Sequence, residues 1–106
     1  MILVRDIFQL KFGKAREALA LWKEGYPILK KSGYLPERLL TDLTGPYYTL
    51  VLEGKFKNLT DYEKAHENEG HSDEWRSWYA RFVVNVESGR REIFNIIDMG
   101  NGSGSG

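Results

Sequence analysis

Residues 2–11 read ILVRDIFQLK. The run is rich in β-branched and aromatic residues and holds neither glycine nor proline, so it predicts a strand. Successive side chains of a strand point to opposite faces. Val4, Phe8 and Leu10 therefore share one side with Asp6, while Leu3 and Ile7 share the other with Arg5, Gln9 and Lys11. Neither side is purely polar. That pattern predicts a sheet covered on both faces, one of them by something tolerant of polar groups.

After this strand the period changes. In Lys14–Ser32, Ala15, Ala18, Leu19, Trp22, Tyr26 and Leu29 recur at steps of three and four, an apolar helical stripe. Gly25 and Pro27 should weaken or kink this helix, and Gly33 supplies a left-handed stop. Tyr34–Leu43 and Tyr47–Phe56 are extended runs around Thr44-Gly45-Pro46, which predicts an antiparallel hairpin with Leu35, Leu39 and Leu43 on one side of its first strand. Thr60-Asp61-Tyr62-Glu63 fits a capping box for a helix ending by Gly70. Ser72 starts another, with Trp75, Trp78, Tyr79, Phe82 and Val86 as an aromatic stripe and Ser88-Gly89 as its stop. Arg91–Asp98 is the closing strand. The order is that of a ferredoxin-like α+β fold, βαββαβ with the second helix split in two, and it predicts a four-stranded antiparallel sheet with helices on one face. A second copy stacked on the bare face would bury its apolar groups, so the pattern predicts a homodimer formed through the sheet faces.

Composition limits the function. The 106 residues make one domain over residues 1–99; residues 100–106, GNGSGSG, read as a flexible added linker outside the fold. Fifteen basic residues balance fifteen acidic ones, which argues against a nucleic-acid partner. The absence of cysteine excludes disulfides, zinc-thiolate sites and thiol nucleophiles. No apolar run reaches the length of a membrane span and the start lacks a leader pattern, so we expect a soluble cytoplasmic protein with no membrane association. No GxGxxG, Walker, nucleophile-elbow or HExxH motif is present, which sets aside nucleotide-dependent and serine-hydrolase chemistry.

The opening strand, the hairpin TGPYYTLVLEGKF, the helix start LTDYEKA and the helix HSDEWRSWYARF together resemble the dimeric α/β barrel superfamily, and within it small NIPSNAP-like domains. The resemblance covers Met1–Met99. It implies a homodimer whose facing sheets enclose a barrel, with a pocket between each sheet and its helices. Relatives of this kind include cofactor-independent quinol monooxygenases, haem-degrading monooxygenases and pure binding domains.

Against that background, His66 and His71 are the chemical candidates, with Asp6 as a general base on the first strand. In haem-handling relatives a histidine of this region ligates iron. The haem-degrading branch adds a first-strand asparagine and a preceding tryptophan, whereas this chain offers Asp6 and Gln9, and Trp75 and Trp78 follow His71. Haem is thus the one cofactor the resemblance brings in, and no dedicated metal site is expected. His66, Glu67, Glu69, His71 and Asp73 are of metal-ligating type, but His66 and His71 diverge by roughly 140° on a continuous helix.

Among the aromatics, Trp75, Trp78 and Phe82 suit the core, while Tyr26, Tyr47 and Tyr48, with Arg38 as an anion clamp, are candidate ligand-binding residues for a small apolar or aromatic molecule. The polar strand residues Arg5, Asp6, Arg38, Asp42, Glu53 and Asn95 read as paired charges that fix register inside a barrel, or as groups acting on a substrate. Leu21 and Ile28, one heptad apart and off the main stripe, mark either a contact with a further assembly partner or partial burial. Three functions follow: a dimeric domain binding a small apolar or aromatic molecule, a monooxygenase for an aromatic or quinol substrate, or an engineered assembly component on this scaffold.

Overall fold

The alternation in residues 2–10 is borne out by the sheet it builds. In the structure, a computed structural model that describes residues 1–34 and 36–100, the elements run β1 (Ile2–Leu10), α1 (Ala15–Lys31), β2 (Arg38–Thr41), β3 (Thr49–Phe56), α2 (Leu59–Gly70), α3 (Asp73–Val83) and β4 (Val86–Asn95). All pairings are antiparallel and the sheet order is β2-β3-β1-β4, the ferredoxin-like arrangement with its second helical region in two pieces. Val4 and Leu10 of β1 and Leu50 and Leu52 of β3 form one buried cluster with Trp22 and Leu29 of α1 and Trp78 and Phe82 of α3. No helix among the described residues is long and apolar enough to cross a membrane.

Aromatic packing sets the middle layer. Trp78 stacks on Phe82 with centroids 5.4 Å apart, Trp22 meets both edge-on at 4.7 and 5.5 Å, and Phe8 closes the stack from the sheet at 5.1 Å. The indole N–H of Trp78 donates to the Leu21 carbonyl at 2.8 Å, so the largest core ring is satisfied as well as buried. Pro27 lies inside α1 without ending it.

The opposite face of the sheet carries no helix. By register it presents Leu3, Ile7, Val51, Leu40 and Phe94, the apolar second side that the sequence required. Between them an alternating row of charges crosses all four strands. Arg38 binds Glu53 at 2.6 Å, Glu53 binds Arg5 at 2.9 Å, Arg5 approaches Glu92 at 3.8 Å, and Glu92 reaches Arg90 at 3.4 Å.

Local structure departs from expectation at the hairpin, at the start of α2 and at the α3–β4 junction. The hairpin forms, but its first strand starts only at Arg38, and both strands stop short of the turn, where the Asp42 carboxylate accepts from the backbone N–H groups of Tyr47 (2.8 Å) and Thr49 (3.1 Å) and draws the chain out of the ladder. Tyr47 and Tyr48 consequently take left-handed backbone angles (φ 69° and 53°) in a loop, and Leu43 is 98% exposed rather than aligned with Leu39. Leu35, which the same expectation placed beside them, lies outside the described residues. The cap of α2 is Asn58, whose side chain accepts from the Asp61 N–H at 2.9 Å; Thr60 already lies within the helix.

Ser72 does cap α3 through the Trp75 N–H. That helix ends at Val83, however, and Ser88-Gly89 lies within β4, which starts at Val86 rather than Arg91. Gly89 fits because it sits opposite Phe8, whose ring would stand 3.3 Å from any Cβ there. Val86 thus belongs to β4, paired with Leu10 across a register shift, and not to the helical stripe.

Candidate functional site

The side of β1 that faces the helices carries one acid among apolar residues. Asp6 stands directly opposite Arg91 of β4, and the Arg91 Nε–H donates to Asp6 Oδ1 at 2.6 Å. Above this pair the sheet and helices leave a cavity of about 400 Å³. Its walls are aromatic, from Phe8, Trp22, Tyr34, Trp75 and Tyr79, and α2 contributes His66 and Glu69. Tyr62, His66 and Glu69 share one face of α2 at steps of four and three. His66 stacks on Tyr62 with centroids 5.7 Å apart, its Nδ1 lies 3.5 Å from Glu69 Oε1, and the Arg91 guanidinium covers the other partner's ring, 5.6 Å from the Tyr62 centroid.

Two features make this cavity chemically distinct. Tyr34 lines it and Tyr62 packs against its lining residues His66 and Arg91, and the hydroxyls of both are buried with no hydrogen-bond partner, which costs about 1–3 kcal/mol for each group left unsatisfied. The titrations are also displaced. Burial, reinforced by the Asp6 charge, pushes the Glu69 carboxyl up to about 7, against the opposing pull of Arg91. Burial likewise lifts the Tyr62 phenol to about 12, opposed by Arg91, and carries Tyr34 and Tyr79 above the ordinary phenol range with help from Asp6. At neutral pH the three phenols are therefore hydrogen-bond donors, and Glu69 exchanges its proton near the ambient pH.

Glu69 should make stability pH-dependent in a specific sense. A carboxyl whose value rises from 4.5 unfolded to about 7 folded contributes no penalty below pH 4.5 and destabilises progressively as pH climbs to about 7. Its place in the last turn of α2, which holds no basic residue, adds to the cost of the charge. Glu69→Gln is expected to match the parent at pH 4 and to be more stable at pH 8, by up to about 3 kcal/mol. Urea unfolding midpoints of parent and variant at the two pH values measure it.

Of the candidates read from sequence, Asp6 and His66 share the cavity and His71 does not: it caps the C-terminus of α2, exposed, and lines none of the hollows described. His66, Glu67, Glu69, His71 and Asp73 do not converge; among the described residues no three His, Asp or Glu side chains gather to hold an ion.

The proposed ligand contacts lie elsewhere. Tyr26 and Arg38 line an open groove between α1 and β2, and Tyr47 and Tyr48 line a hollow at one end of the sheet with Phe12. Leu21 and Ile28 are half-buried against the core cluster, which is the alternative that the sequence offered to an assembly contact. Of the polar strand residues, Asp42 organises its loop and Arg5, Arg38 and Glu53 join the ion row. The added-linker reading of residues 100–106 falls, apart from Gly100, outside the described residues. Trp22, Trp75 and Tyr79, aromatics of the kind that could line a pocket, do line this one, whereas Tyr34, Tyr62 and Arg91 are not among the candidates read from the sequence. The spacing Tyr62–His66–Glu69 was a readable signal; the Asp6–Arg91 pair needed the register.

No family model matches the sequence, and none of the curated proteins does. Solved structures do. A NIPSNAP domain protein from Burkholderia xenovorans superposes with a TM-score of 0.86 at 13% identity, over 93% of this chain and 97% of that one. A NIPSNAP family protein from Agrobacterium tumefaciens gives 0.83 at 20% identity, over 92% and 87%. A putative antibiotic biosynthesis monooxygenase from Nitrosomonas europaea is more distant, at 0.68 and 13% over 90% and 97%. The likeness at these identities is one of fold: the chain is a ferredoxin-like domain built as the NIPSNAP domain proteins are.

Proposed function

We propose that the chain acts as a homodimer whose inner cavity binds a small aromatic molecule bearing a hydroxyl or carbonyl oxygen. The observation that carries this reading is the buried, unpartnered hydroxyl of Tyr34 in the wall of an aromatic cavity, with the equally unpartnered hydroxyl of Tyr62 on the residue stacked against the lining His66. Such donors gain most from a ligand oxygen that satisfies them. The homodimer is supported by the helix-free sheet face with its exposed Phe94 and its row of charges, a surface suited to a second copy.

The binding test uses 2-naphthol and naphthalene, followed by tryptophan fluorescence, since Trp22 and Trp75 line the cavity. The parent should bind 2-naphthol saturably. Tyr34→Phe/Tyr62→Phe should weaken 2-naphthol about tenfold, one hydrogen bond's worth, and leave naphthalene unchanged. No saturable binding of either probe, or equal affinities in parent and variant, overturns the reading. Sedimentation at micromolar concentration checks the homodimer, and a stable single subunit refutes it.

A second reading, a monooxygenase acting on an aromatic or quinol substrate without a metal, is favoured by one observation. Glu69, with its carboxyl raised to about 7 by burial beside Asp6 and His66, is suited to take a phenolic proton at neutral pH. Oxygen uptake with hydroquinone that falls in Glu69→Gln would support it; no uptake by the parent would exclude it for that substrate.

A further inference from the structure

The groove between α1 and β2 is separate in kind from the inner cavity. It is open and about 990 Å³, and among the described residues the two share only Trp22 and Leu52. Its floor is apolar, from Leu19, Tyr26, Pro36, Leu39 and Leu52. Trp22, the wall between the two, has a buried indole N–H without a partner. The groove arises because α1 presents a second face beside its core stripe, on which Arg16, Leu19, Lys23 and Tyr26 recur at steps of three and four.

The charges at this groove have one sign left over. Among the described residues Arg16 and Lys23 enter no ion pair, and the acids next to them in the chain are paired with other cations. Glu17 pairs with Lys14 at 3.4 Å and Glu24 with Arg81 at 2.9 Å. Glu37, the acid on the β2 side, pairs with Lys55 at 3.7 Å, and the guanidinium of Arg38 is held by Glu53. An apolar floor with two uncommitted cations at its rim suits an anion that carries a long apolar body. From Arg16 to Tyr26 the helix rises about 15 Å, the reach of an extended chain of about a dozen carbons.

We propose that this groove binds a long-chain carboxylate, its head group at Arg16 and its alkyl chain along Leu19, Tyr26 and Leu39, with Lys23 adding positive charge at the rim. Dodecanoate, below its micelle concentration, is the probe, titrated by calorimetry into the whole chain. The parent should bind it saturably. Octanoate should bind at least about tenfold more weakly as buried methylenes are lost, and dodecyltrimethylammonium should not compete. Arg16→Glu/Lys23→Glu, both on the exposed side of α1, should weaken dodecanoate at least tenfold, and Leu39→Asp should do the same from the floor. Tyr34→Phe, which alters only the inner cavity, should leave it unchanged. Equal affinity in the charge-reversed variant, equal binding of the dodecyl cation, or loss of dodecanoate binding in Tyr34→Phe would each overturn the proposal.

Discussion

Gly25→Ala is expected to destabilise the protein by about 3 kcal/mol, although an alanine in mid-helix ordinarily stabilises by up to about 1 kcal/mol over glycine. A Cβ at Gly25 would stand 2.4 Å from Cε2 and Cζ2 of Trp78 and 2.9 Å from Cη2. The ring cannot yield cheaply. Trp78 is 2% exposed, stacked on Phe82, packed against Trp22, and tied by its N–H to the Leu21 carbonyl. The clash therefore moves either α1 or the whole aromatic stack, and overpacking of that kind exceeds the gain in helix propensity. Trp78→Phe tests the cause. Alone it should cost stability by losing volume and the bond to Leu21, but Gly25→Ala made in that background should be far less harmful. Urea unfolding of the four proteins gives the coupling; additive effects would show that the two residues do not interact.

This glycine illustrates what could and could not be read in advance. In the sequence Gly25 stands beside Pro27 as a weak point of a helix, and its structural role is instead a seat for an indole from a helix some fifty residues later. Local periodicity does not carry that information. It does carry element type: the mixed faces of residues 2–10, the stripe of α1 and the Ser72 cap all follow from backbone period and hydrogen-bond chemistry, and they recur in the structure. The failures cluster where a side chain competes for backbone groups. Asp42 takes N–H groups that the hairpin would otherwise have paired, and Asn58 caps α2 before the apparent Thr60–Glu63 box can. The end of α3 differs for another reason: Gly89 reads as a helix stop, yet its absent side chain serves close approach to Phe8 in the sheet.

The site was less legible than the fold. Asp6 stood out as an acid on an apolar strand face, and His66 as one of two histidines, but nothing in the sequence tied them together. Their meeting depends on β4 lying beside β1 in a register that sets Arg91 against Asp6, and on α2 turning the face of Tyr62, His66 and Glu69 toward them. The tyrosines picked as ligand contacts went the other way. Tyr47 and Tyr48 left the strand with the Asp42 loop, and Tyr26 turned from the core stripe to the outer groove. Burial of a phenol without a partner, the feature that distinguishes Tyr34 and Tyr62, is a property of packing alone.

The largest electrostatic effect is expected on the helix-free face of the sheet. Glu53 is 4% exposed there and held from both sides, by Arg38 Nη2 and Nε at 2.6 and 3.0 Å and by Arg5 Nε at 2.9 Å. Removing one arginine leaves the other, and Arg38 is itself more than half exposed, so Arg38→Met alone should cost only about 1 kcal/mol. Arg5→Met/Arg38→Met together strand a buried carboxylate and should cost about 3–5 kcal/mol. Adding Glu53→Leu should return most of that loss, because an apolar trio on a strand face already carrying Ile7 and Val51 needs no compensation for buried charge. The triple variant also separates stability from assembly. If the charge row sets how a second copy docks on this face, the triple variant should regain its unfolding midpoint yet sediment as a broadened mixture in place of one defined species, since apolar contacts alone do not fix register. Recovery of stability with an unchanged single species would instead assign the row to folding of the subunit and leave partner recognition to the surrounding apolar residues.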